Sequence, residues 1–119
     1  SVKYPITKRI ITITAANTPP IAYAGADATY PDGTAEVTLN GSATDNVSVV
    51  GYNWIQISGP SATIINAGPA NGVTTVTGMG PGTYKFRLTA TDNQGANGID
   101  EVTIRIKQTS GRSARNLGY

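Results

Sequence analysis

Short runs rich in valine, isoleucine and threonine recur along this chain, each closed by a compact turn signal. Between Ile21 and Lys107 the signals are Pro31-Asp32-Gly33, Asp45-Asn46, Ser58-Gly59-Pro60, Gly68-Pro69, Gly78 through Gly82, and Asp92-Asn93-Gln94-Gly95. Glycine admits positive φ, proline presets φ, and Asp or Asn side chains bond nearby backbone, so each cluster can reverse the chain. Turns this closely spaced leave little room for ordinary helices and match the rhythm of an all-β sandwich. The runs between them fit about seven strands in two antiparallel sheets.

Alternation within the runs identifies the core. Tyr84, Phe86, Leu88 and Ala90 fall on one face of a period-2 strand, with Lys85, Arg87, Thr89 and Thr91 on the other. Val102, Ile104 and Ile106 alternate with polar residues in the same way, and Val37, Leu39 and Gly41 do so upstream. Tyr52 and the single Trp54 share a face. A lone tryptophan in a strand of a small sandwich reads as a core plug rather than a ligand platform. With 119 residues, one core is expected.

Three zones separate along the chain. Residues 1–16 include the strand-like Arg9-Ile10-Ile11-Thr12-Ile13-Thr14 and end at Asn17-Thr18-Pro19-Pro20, a stiff extended connector. Residues 17–107 carry the sandwich pattern. Residues 108–119 have no apolar periodicity and read as a tail or linker. The first zone reads as the end of a preceding module, a linker, or a strand donated through residues 6–16 to a neighbouring sheet.

Histidine and cysteine are absent, which removes thiolate nucleophiles, Ser-His-Asp triads and disulfides from consideration. Asp100 and Glu101 are adjacent in a strand and so point to opposite faces, which prevents them from flanking one glycosidic bond. An enzyme is therefore not expected. Basic residues cluster toward both ends, at Lys3, Lys8 and Arg9 and at Arg105, Lys107, Arg112 and Arg115, without the concentrated stripe and stacking aromatics of a nucleic-acid binder. No apolar run is long enough to cross a bilayer as a helix.

Several motifs in order resemble a known family. Asn17-Thr18-Pro19-Pro20, Ala24-Gly25, Asp27 and Val37-Thr38-Leu39-Asn40-Gly41-Ser42-Ala43-Thr44-Asp45 look like the opening half of a polycystic kidney disease (PKD) domain. Tyr52-Asn53-Trp54, Ile57-Ser58-Gly59-Pro60, Gly82 through Leu88, Thr91 through Gly95 and Asp100 through Ile104 follow as its second half. The resemblance implies an immunoglobulin-like sandwich from a bacterial secreted or cell-surface protein. There it would serve as a spacer or adhesion module beside other domains of the same polypeptide.

Topology of that kind places the loops after the second and sixth core strands at the pole where the first strand begins. Asn17, Asp45 and Asp92 are then expected to converge, and hard oxygen ligands at a module boundary suit calcium. The competing reading is that these residues cap turns. The resemblance is incomplete here, because many PKD domains carry Asp-x-Asp-Gly where this chain has Asp45-Asn46-Val47-Ser48. Asp27 is expected to bond backbone at a strand irregularity. Tyr84 resembles the corner tyrosine of such sandwiches, whose hydroxyl ties a loop to a strand. Lys85, Arg87, Arg105 and Lys107 form an outward stripe that suits polysaccharide or a cell-surface protein, or is simply a solvated face. A carbohydrate-binding accessory is the alternative function, although Tyr4, Tyr23, Tyr30 and Tyr119 lie in unrelated segments.

Overall fold

The alternating pattern that ends at Asp92 becomes the central strand of a two-layered β structure. A computed structural model describes residues 16–108. Its strands are β1 (Ile21–Tyr23), β2 (Ala28–Tyr30), β3 (Val37–Asn40), β4 (Ser42–Thr44), β5 (Val49–Ser58), β6 (Thr63–Ile64), β7 (Val73–Thr77), β8 (Gly82–Asp92) and β9 (Asn97–Ile106). One sheet has the order β2-β9-β8-β5, and two further ladders, β1-β4 and β3-β7-β6, form the facing layer. Residues 1–15 and 109–119, which hold most of the strand-like first zone and the tail, lie outside the described residues.

The nine segments reduce to the seven expected strands once two interruptions are understood. β3 and β4 are one strand broken only at Gly41. A Cβ at Gly41 would stand 2.7 Å from Gly72 O, Leu88 Cδ2 and Trp54 Cζ2, so the chain passes over the tryptophan only because no side chain is there. β1 and β2 are likewise one strand that changes layers, and Gly25, at φ 96°, makes the crossing. The crossing also corrects the expectation of purely antiparallel sheets. β1 runs antiparallel to β4, but beyond the switch β2 lies parallel to β9, pairing Ala28 with Ile104 and Tyr30 with Ile106.

Trp54, Tyr84, Phe86, Leu88 and Ala90 are fully buried from one layer, with Val102, Ile104 and Ile106 beside them. Val37, Leu39 and Val76 meet them from the other layer. Trp54 reconciles its indole N–H with this apolar setting by donating to Gly72 O at 2.9 Å. The Tyr84 and Phe86 rings lie nearly parallel with centroids 6.3 Å apart.

Candidate functional site: the pole where the chain enters

Asp92 ends β8 and is 1% exposed, which is unusual for a carboxylate. Its environment explains its presence. Oδ1 accepts from the Gln94 and Ala96 N–H groups, both at 2.9 Å, so the side chain organises the β8–β9 turn. Oδ2 accepts from Asn17 Nδ2 at 2.8 Å, across 75 positions of sequence. The Asn17 amide holds the Asp92 carboxyl below its ordinary 3.8, assisted by the turn N–H groups and opposed by burial.

Asp45 sits after β4 on the adjacent loop. Its Oδ2 accepts from Val47 N–H at 3.0 Å and Ser48 N–H at 3.2 Å, closing the turn into β5. The Asn93 N–H donates to Ser48 O at 3.3 Å, which joins the Asp45 loop to the Asp92 turn. Asn17 and Asp92 are thus in direct contact, while Asp45 reaches them through linked loops. Asp45 and Asp92 therefore cap turns, and they do so at one pole.

Two atoms at the pole have no partner among the described residues. Asn17 Oδ1 and Asp45 Oδ1 are buried and accept no hydrogen bond there. A desolvated carboxylate or amide oxygen left this way is costly, so the pole has spare capacity for a donor or a cation. These are hard oxygen donors of the type calcium takes. Among the described residues no group of three or more His, Cys, Asp or Glu residues is placed to hold a metal.

The other singled-out residues occupy separate places. Tyr84 donates its hydroxyl to Gly80 O at 2.7 Å and accepts from Gly80 N–H at 2.9 Å, tying the preceding loop to β8. Asp27 Oδ1 accepts from Thr103 N–H at 2.9 Å and fixes the start of β2 to β9. Asp100, whose structural part the sequence did not reveal, accepts from Ala24 N–H at 2.8 Å and fixes the end of β1 to the same strand. Only the cross-strand register discloses that role.

The basic stripe requires correction. Lys85 and Arg87 do lie on the outer face with Arg105, but register sets Glu101 opposite Arg87. Arg87 Nε and Nη2 both donate to Glu101 Oε2, at 2.9 and 2.7 Å, and Lys85 Nζ is 3.9 Å from Oε1. The Glu101 carboxylate thus offsets one of the two positive charges at the centre of the stripe, and Arg105 and Lys107 stand exposed at its end. Of the scattered tyrosines, Tyr30 packs against the core and Tyr23 is exposed. Tyr4 and Tyr119 fall outside the described residues.

Fold and side chains together define an immunoglobulin-like β-sandwich whose polar residues mostly tie strands and turns together. Residues 24–106 match the family model described as "K319L-like, PKD domain", and the chain belongs to that family. It is 38% identical over 101 residues to the human Dyslexia-associated protein KIAA0319, covering 83% of this chain and 9% of that protein. It is 32% identical to the human Low-density lipoprotein receptor-related protein 11, covering 74% of this chain and 18% of that protein. The solution structure of the PKD domain from KIAA 1837 protein superposes with a TM-score of 0.67 at 31% identity, covering 82% of this chain and 95% of that one. The chain thus spans under a fifth of the length of either named relative. The KIAA0319 and receptor-related relatives are human, and the bacterial attribution drawn from the resemblance is not supported.

Proposed function

We propose that this chain is a non-catalytic spacer of an extracellular multidomain protein, held at a fixed angle to its preceding segment by the pole at Asn17, Asp45 and Asp92. The contact of Asn17 with buried Asp92 carries this reading, because it anchors the incoming chain to the end of a core strand. Support for a module within a longer polypeptide comes from the small share of each relative that the chain covers. The name of the receptor-related relative supports an extracellular setting. Neighbouring domains of the same polypeptide are its first partners, and adhesion through an outer face is a secondary role.

Calcium at this pole belongs to the same proposal. Asn17 Oδ1 and Asp45 Oδ1, unpartnered and buried, would hold it together with the Asp92 carboxylate. The ion would supply positive charge linking the chain entry to two loops, which stiffens the joint without any chemical step. Calorimetric titration of calcium tests this. Binding heat in the wild type, lost in Asp45→Ala and Asp92→Ala, is expected, and no heat in the wild type ends the calcium reading. The spacer reading is tested separately by small-angle scattering of the module with its natural neighbours. A single well-defined maximum dimension is expected, and a broad ensemble contradicts it.

A further inference from the structure

Two Asn-x-Ser triplets stand close together in the chain, Asn40-Gly41-Ser42 and Asn46-Val47-Ser48. Neither has proline at its centre, so both carry the residue types that transfer of an N-linked glycan requires. The fold treats them differently.

Asn40 closes β3 opposite Val73, and Ser42 opens β4 opposite Tyr23, so both ends of the first triplet are held in ladders. Gly41 between them donates its N–H to Gly72 O at 3.1 Å and lies against Trp54 and Leu88. In extended chain, neighbours on one face stand about 6.6 Å apart, twice the rise per residue. Transfer needs a bent triplet, in which the serine hydroxyl and the asparagine amide enter one transferase site together. Bending Asn40-Gly41-Ser42 would break both ladders and lift Gly41 away from the tryptophan.

The second triplet lies between β4 and β5 and belongs to neither. The chain bends at Asn46 and Val47, and Asp45 Oδ2 holds the bend by accepting from the Val47 and Ser48 N–H groups. Asn46, Val47 and Ser48 are all exposed. The Asn46 amide and the Ser48 hydroxyl make no hydrogen bond among the described residues, so both are free to react without cost to the fold. Beside them Val47 and Val50 are 60% and 64% exposed, an aliphatic pair that a bulky hydrophilic graft would shield from association.

We infer that Asn46 is the acceptor of an N-linked glycan. The inference rests on the extracellular reading above, since the transferase works on exported chains. The donor is an oligosaccharide carried on a polyprenyl diphosphate. Asn46 Nδ2 bonds to the anomeric carbon as the bond from that carbon to the diphosphate oxygen breaks. The diphosphate leaves with the electron pair, and one amide proton passes to a base of the transferase. The graft stands next to Asp45 and so adds bulk at the pole where the chain enters.

Secretion of the full chain from mammalian cells behind a cleavable signal peptide tests the inference. Forced export takes the chain past the transferase whatever its native compartment, so a missing glycan counts against the site and not against the extracellular reading. The wild type is expected to lose a glycan on treatment with peptide:N-glycosidase F, with Asn46 converted to aspartate by mass spectrometry. Asn46→Gln and Ser48→Ala should each abolish that glycan while melting as the wild type does, and Ser48→Thr should retain it. Asn40→Gln should leave it in place. A wild type with Asn46 unmodified overturns the inference, whether or not Asn40 is occupied, as does full glycosylation of Asn46→Gln.

Discussion

A carboxylate almost sealed from solvent is maintained at Asp92 by three hydrogen bonds, two from the turn it closes and one from Asn17. Because these bonds favour the charged form, its folded pKa lies below 3.8, the unperturbed value. A depressed acid stabilises the fold above its unfolded pKa, and the contribution is lost as pH falls through the folded one. Acid should therefore loosen the pole only below about pH 4, taking the usual carboxylate value as the upper edge. Urea melts of the wild type and Asp92→Asn across pH 2–7 check this, and the variant should be less stable at neutrality and flatter in its acid limb. Gly41 illustrates the opposite constraint, an absence that matters. Gly41→Ala drives a methyl into Trp54, Leu88 and the Gly72 carbonyl and should cost about 1–3 kcal/mol in the same assay. Trp54→Ala, leaving a cavity and freeing the Gly72 carbonyl, should cost about 3–5 kcal/mol.

At the scale of elements, the strand that changes layers is the distinctive feature. It is held by two aspartates acting on backbone, Asp100 on Ala24 and Asp27 on Thr103. Asp100→Ala should destabilise by about 1–3 kcal/mol and speed amide exchange at Ala22 and Ala24 before it affects β8. Period-2 alternation made β8 and β9 legible from sequence, since burial of Tyr84 through Ala90 and of Val102 through Ile106 follows directly from it. The layer switch was not legible. Gly25 signals an irregularity, but whether the chain then pairs parallel or antiparallel depends on partners 76 positions away. The same limit hid the pairing of Glu101 with Arg87. Half-exposed ion pairs are worth about 0–1 kcal/mol, so the sequence carries no strong energetic trace of that register. The pole was foreseen in outline because loop positions follow from topology, whereas the two unpartnered oxygens at Asn17 and Asp45 depend on side-chain detail.

Across the whole molecule, the sandwich presents a charged face, an uncharged face and a pole through which the chain enters. Family membership over residues 24–106 fixes the architecture, and the pole is where this chain's own residues bear on the proposed spacer role. A spacer transmits an angle only if the entering chain moves with the body. Asn17 and Thr18 are the critical positions, since they lie ahead of Pro19-Pro20 and the Asn17 side chain is tied to the body through Asp92. Backbone ¹⁵N relaxation in the full chain measures this directly. The order parameters of Asn17 and Thr18 should match those of β8, near 0.85, and in Asp92→Ala they should fall below about 0.6. Values below about 0.6 in the wild type would contradict the account, because the entering chain would then be a free tether.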